Sequence, residues 1–264
     1  MRQYLLPQSF RGEPSLYLEG KESQYLTKVL RLKVGQHILG RDKEGEVYQL
    51  TLMAIEKKGC MLSCKKQAAR LVQSTDSLPA YQGSYPKLVL LQCLCKGKKE
   101  EQIVRQATEL GVSTIALVQS RHCVVDLSDK KETALQARFD RLESQIKEAI
   151  QQSGSPIPTC LEKTVIPLSE LPKWWNNQGL AIFFHQSSRE KTQRTLSQLV
   201  NNHPMEKSIA VLIGPEGGFS EEECASLEAH FFEPVLLRTN ILRSETAGIY
   251  ALSAIQVMMT EREN

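Results

Sequence analysis

A change of rhythm near residue 87 constrains this chain more than any other feature of its sequence. From there on, short continuous apolar runs alternate with helix-length amphipathic stretches. Residues 87–94 (KLVLLQCL) are apolar almost throughout, as in a strand buried on both faces. Residues 98–110 follow with Ile103, Val104, Ala107 and Leu110 at helical spacing, and Gly111 is placed to end that helix. The pattern continues with strands at 114–118, 180–184, 209–213 and 234–237 and helices at 133–152, 220–230 and 244–259. Strands alternating with helices predict an α/β unit with a mainly parallel sheet.

The first 70 residues read differently. Short β-rich segments at 36–41, 45–56 and 60–65 are separated by Asp, Gly and Lys turns, with one helix at 22–31, which suggests a small barrel. Residues 73–86 are rich in Ser, Gly and Pro and read as a linker. The expected organisation is therefore a barrel at 1–72, a linker at 73–86 and an α/β unit at 87–264. Residues 1–75 carry 13 Lys/Arg against 7 Asp/Glu, while the remainder is slightly acidic. That asymmetry fits either a phosphate-seeking module or a solvated basic face. No apolar run approaches a membrane span, and the start lacks the apolar core of a signal peptide, so a soluble, cytoplasmic protein is expected. The 7 cysteines and 5 histidines lack metal-ligand spacing, so no metal is expected.

Ligands of parallel α/β sheets bind beyond the carboxyl ends of strands, and two such ends stand out. One is Leu-Ile-Gly-Pro-Glu-Gly-Gly-Phe-Ser at 212–220. Gly214, Gly217 and Gly218 allow a sharp turn and close approach of a ligand to the main chain. Ser220 and Glu223 have capping-box spacing. The loop is neither a P-loop nor a G-x-G-x-x-G turn, and Glu216 within it suits an ammonium, a sulfonium or sugar hydroxyls better than a phosphate. A tight turn with ordinary capping is the alternative. The second end spans 236–247, where an irregular segment leads into a helix opening near Ser244, with Arg243 as an anion anchor or the partner of a nearby carboxylate. The last helix is apolar around most of its circumference, so it is expected inside the unit or against a second copy of the chain.

LIGPEGGFSEEE followed by ILRSETA resembles the RsmE family, bacterial SPOUT-class methyltransferases acting on N3 of a uridine in small-subunit (16S) ribosomal RNA. Val29-Leu30-Arg31, Ala107–Gly111 (ATELG), Glu148-Ala149 with Gln152-Ser153-Gly154, and His185 fit in the same order along nearly the whole chain. The resemblance implies an N-terminal PUA-like RNA-binding barrel, a C-terminal SPOUT α/β trefoil-knot domain, S-adenosylmethionine as cofactor, the small ribosomal subunit as partner, and a homodimer without membrane association. It implies cofactor contacts from Phe184, His185, Gly214, Pro215, Glu216, Gly217, Gly218, Leu237, Ile241, Leu242 and Thr246. The basic N-terminal unit offers Arg2, Arg11, Lys28, Arg31 and Lys33 to RNA.

Uridine N3 carries a proton at neutral pH, so the reaction needs its anion stabilised. Arg243 is the expected stabiliser, with Glu245 orienting it or relaying the proton. The chain departs from the family pattern at Tyr25, Gln106, Arg121-His122, Gln151, Ser155 and Arg238-Thr239-Asn240. Those changes leave room for a non-catalytic RNA-binding or ribosome-assembly factor, for a methyltransferase of another RNA site, or for an enzyme using another nucleotide-like ligand.

Overall fold

The computed structural model describes residues 3–67, 87–125, 127, 132–185, 194–203, 208–237 and 239–260. Arg2, Arg238 and the expected linker at 73–86 lie outside the described residues. The chain divides into two compact units, residues 1–80 with 150–158, and residues 81–149 with 159–264.

The first unit holds strands β1 (Gln3–Leu5), β2 (Ser15–Glu19), β3 (His37–Arg41), β4 (Val47–Ile55) and β5 (Gly59–Lys66), in the order β1-β3-β4-β5-β2. Tyr4 from β1 and Leu18 from β2 meet in one core with Leu50, Leu52 and Leu62, so the two end strands enclose a shared interior, as in the expected barrel. The helix expected at 22–31 is a short α-helix, α1 (Gly20–Gln24), running into a π-helical turn at Tyr25–Val29. Arg31 then adopts a positive φ of 54°, which stops the helix. Gln3 is buried, and its amide donates to the carbonyls of Ile150 (3.1 Å) and Ser155 (2.9 Å), which ties the 150–158 segment into this unit.

The second unit is built on six parallel strands: β6 (Lys87–Cys93), β7 (Thr114–Gln119), β8 (Cys160–Pro167), β9 (Leu180–Phe184), β10 (Ser208–Ile213) and β11 (Phe232–Val235), in the order β11-β9-β10-β6-β7-β8. Every residue of β10, and all of β6 after Lys87, is buried, as the continuous apolar runs require. The strand expected at 234–237 begins two residues earlier, because Pro234 sits inside an edge strand, where its missing N–H costs least. β8 was not legible as a run, since it is a half-exposed edge carrying Glu162 and Lys163.

Helices α2 (Lys99–Glu109), α3 (Glu132–Ser153), α4 (Leu171–Trp175), α5 (Leu196–Asn202), α6 (Glu221–Ala229) and α7 (Ser244–Thr260) complete the chain. α7 packs on α2, α5, β6 and β10. Its Leu252 and Ile255 are fully buried within the unit, so these two residues do not supply the surface expected for a second copy. Among the described residues no helix is long and apolar enough to cross a membrane.

The start of α2 is fixed by a buried carboxylate. Glu100 accepts from the Cys95 N–H (3.0 Å) and from Arg138 Nε (2.9 Å), with a second contact from Arg138 Nη2. Removing one partner of such a pair strands the other. Glu100→Ala should lower the unfolding free energy by about 3 kcal/mol in urea titration. A loss below about 1 kcal/mol would place the pair among ordinary surface bridges.

Candidate active site

The order β11-β9-β10-β6 brings four strand carboxyl ends side by side. The loops leaving β10 and β11 enclose a cavity of about 360 Å³ at that edge. Phe184, Ile213, Phe219, Leu236, Leu237 and Leu242 give it apolar walls, while the loop residues Gly214, Pro215, Glu216 and Gly218 bring main chain and one carboxylate. Of the residues expected to contact a cofactor, His185 and Ile241 line it as well, whereas Gly217 and Thr246 do not.

The loop is held from below. Ser244, the first residue of α7, accepts a hydrogen bond from Gln92 Nε2 (2.9 Å) and donates to the Gly214 carbonyl (3.0 Å). Register pairs Gln92 with Ile213, so this polar side chain stands at the end of β6, beside the point where the loop begins. The loop is also shaped by its own packing. A Cβ on Gly214 would lie 3.1 Å from the Phe219 ring, which meets Phe183 edge-on at 6.0 Å. Gly218 has a φ of 69°, in the region that favours glycine.

Gly217 is constrained from the other side. A Cβ there would fall 3.0 Å from the Cβ of His122, whose Nδ1 is 3.2 Å from the Gly218 carbonyl. The close approach at Gly217 is therefore to the loop after β7 rather than to the cavity. That neighbouring loop is braced by Arg121, whose N–H donates to Glu223 (2.8 Å), and by a contact of 3.3 Å between Ser120 Oγ and Cys123 Sγ. Hydrogen bonds from the Cys93 thiol and from Ser120 pull the Cys123 thiol down to about 6. Glu223 also closes the capping box with Ser220, read from the sequence, which starts α6.

The acidic residues of the site meet at a cation the sequence reading missed. Lys99 lines the cavity, and its Nζ lies 2.8 Å from Glu216 Oε1 and 3.4 Å from Glu245 Oε2. The hydrogen bond to Glu216 raises the Lys99 pKa and lowers that of Glu216. One signal was available in the sequence: Lys99 is the first residue of α2, where the helix dipole disfavours a cation. Arg243 stands exposed on the cavity wall, near the opening of α7. Glu245 does not line the cavity, and the ion pair it forms is with Lys99 rather than with Arg243.

In the first unit, Lys28, Arg31 and Lys33 are exposed within one short segment. Arg11 is exposed too, but its guanidinium donates to the carbonyls of Gln8 and Phe10. Tyr25 stacks on Tyr4 with ring centroids 6.4 Å apart. Among the described residues no group of three His, Cys, Asp or Glu could hold a metal ion.

Residues 83–256 match a family model described as an RNA methyltransferase domain, and residues 18–62 match an RNA methyltransferase PUA domain. The chain is 27% identical to the ribosomal RNA small subunit methyltransferase E of Bacillus subtilis, over 95% of this chain and 93% of that one. It is 34% identical to the protein of the same description from Aquifex aeolicus, over 60% and 62% of the two chains. Its fold matches the crystal structure of a ribosomal RNA small subunit methyltransferase E from Neisseria gonorrhoeae bound to S-adenosyl methionine, with a TM-score of 0.81, 22% identity and full coverage of both chains.

The contact with His122 yields a test. Gly217→Val should cost about 1–3 kcal/mol of stability, the usual penalty for overpacking. Thermal unfolding reads it, and an unchanged midpoint would show that His122 gives way freely.

Proposed function

The chain belongs to the RNA methyltransferase family whose domain model spans residues 83–256, and from that premise we propose that it methylates N3 of a uridine in small-subunit ribosomal RNA, using S-adenosylmethionine. The cavity at the β10 and β11 carboxyl ends carries this reading, and its residues fit the cofactor. Apolar walls from Phe184, Ile213, Phe219 and Leu237 suit an adenine ring. The Gly214–Gly218 turn offers main-chain groups, with Gly218 at a positive φ and the Phe219 ring tight against Gly214. Glu216, whose pKa the hydrogen bond from Lys99 lowers, suits a cation or sugar hydroxyls. When bound, S-adenosylmethionine supplies an electrophilic methyl group on a positively charged sulfur.

The protein's own residues do the remainder. Leu236, Leu237 and Leu242 keep water from the reacting centre. A base edge inside a helix is out of reach, so the target uridine must be unstacked. Its N3 becomes nucleophilic once water has taken its proton, and the charge then spreads onto the neighbouring carbonyl oxygens. Arg243, exposed at the cavity, donates to one of those oxygens as the charge grows. Lys28, Arg31 and Lys33 grip flanking phosphates. The reading includes a homodimer acting in the cytoplasm, where its RNA substrate is; a monomeric mass by light scattering would exclude the dimer.

Labelled S-adenosylmethionine and undermethylated small subunits, followed by mapping of the modified nucleotide, test the reading. Arg243→Ala should lower the single-turnover rate about 100- to 1000-fold, with cofactor affinity nearly unchanged. A rate within about threefold of wild type on that scale would remove Arg243 from the chemistry. Reversing Lys28, Arg31 and Lys33 to Glu should weaken RNA binding and flatten its salt dependence while leaving cofactor affinity intact. RNA affinity that survives at low and moderate salt would move the RNA grip elsewhere.

A further inference from the structure

Lys99 occupies a position that helix stability does not explain. It is the first residue of α2, at the positive end of the helix dipole, where Glu100 and Glu101 are favoured and a lysine is not. Its ammonium instead meets two carboxylates from distant parts of the chain, Glu216 in the loop after β10 and Glu245 in the first turn of α7. The approach to α2 is itself fixed, because Glu100 takes the Cys95 N–H and the Arg138 guanidinium. Lys99 is thus delivered to the cavity by a braced turn. Glu245 lies behind it with its side chain only 15% exposed, and its Oε2 is buried without a hydrogen bond of its own. Burying a carboxylate in that way is costly unless a cation offsets it, and the cation present is Lys99.

We propose that Lys99 is a specificity-determining positioning residue of the cofactor pocket: gripped from behind by Glu245, it pins the Glu216 carboxylate and offsets part of its charge, which sets how strongly the pocket prefers a sulfonium over an uncharged thioether. The proposal rests on the cofactor reading above. The three side chains together carry one net negative charge. The methyl donor carries one positive charge more than S-adenosylhomocysteine, the product left after transfer. Without Lys99 the two carboxylates would hold the donor harder, whereas a neutral cluster of these three groups would prefer the donor over spent product less. The Lys99 clasp keeps the pocket between those limits.

Calorimetric affinities of the full-length protein for S-adenosylmethionine and S-adenosylhomocysteine test this, at low and fixed ionic strength. Lys99→Met removes the ammonium that meets both carboxylates, and the preference for the sulfonium ligand should rise about three- to tenfold, as expected for one unit charge at short range in a partly solvated site. Glu245→Gln makes the group neutral and should lower that preference by about two- to fivefold on the same basis. Lys99→Arg should keep the wild-type ratio. A bridge that only tied loops together would weaken both ligands alike in all variants. A ratio unchanged within twofold in both Lys99→Met and Glu245→Gln would therefore overturn the proposal. If Lys99→Met does not fold, the opposed expectations for Glu245→Gln and Lys99→Arg still decide it. Wild-type protein that bound neither ligand would overturn the cofactor assignment, and the proposal with it.

Discussion

The Ser244 hydroxyl joins the three parts from which the cavity is made. It accepts from Gln92 at the end of β6, donates to Gly214 at the start of the glycine loop, and belongs to the first residue of α7. Gln92 and Ser244 are both buried, so without that hydroxyl the Gln92 amide would lose a partner where water does not compensate. Gly248, one turn further along α7, faces the same strand ends: a Cβ there would be in ordinary contact with Ile213 at 3.4 Å and Gln92 at 3.7 Å. The loop therefore springs from a strand end whose position is fixed on two sides. The opening of α7 is fixed by the same bond, and with it the placement of Arg243 just before and Glu245 just after.

Charge around the cavity divides into two groups with different work. Glu221, Glu222 and Glu223 form an acidic run directly behind the glycine loop. In the fold they crowd the positive end of α6. Glu223 commits one oxygen to the Ser220 N–H and the other to the Arg121 N–H. Glu216 stands apart from that run on the cavity wall, where its partner is a side chain rather than a helix end. Helix-capping carboxylates stabilise structure whether or not a ligand is present. A carboxylate shared with Lys99 leaves only part of its charge available to whatever enters.

The sequence made local regularities legible and left long-range pairings hidden. The apolar runs of β6, β9 and β10 each stood out because a parallel strand buried on both faces has no polar positions to spare. The Ser220–Glu223 capping box was equally plain, since its partners lie three residues apart. β8 escaped notice because an exposed edge strand needs no apolar run, and the π-helical turn at Tyr25–Val29 because the apolar spacing of its residues is also that of an α-helix. In the site, most of the loop residues read from the sequence do line the cavity, but Lys99 was missed, and Glu245 forms its ion pair with that lysine. Lys99 and Glu216 are 117 residues apart, and no local pattern encodes such a pair. The apolar circumference of α7 left open whether it faced its own unit or a second copy. Contacts with α2, α5, β6 and β10 account for much of it.

The residues at 121–122 gain a different meaning once the loops are seen together. In the sequence, Arg121-His122 stands only as a departure from the family pattern. In the fold the pair is a packing partner of the glycine loop. Arg121 braces Glu223 through its N–H and reaches Glu222 at 3.4 Å, and His122 contacts the Gly218 carbonyl while filling the space beside Gly217. A larger residue at 217 would have to displace this loop, so the requirement for glycine there is set by a neighbour across the sheet edge. Glycines in one short motif thus answer to separate constraints: the Phe219 ring at Gly214, the His122 loop at Gly217 and backbone conformation at Gly218. A substitution in this motif that impairs cofactor binding therefore bears on the cofactor only after its effect on the loop after β7 has been separated, and the stability of the unliganded protein is the quantity that separates them.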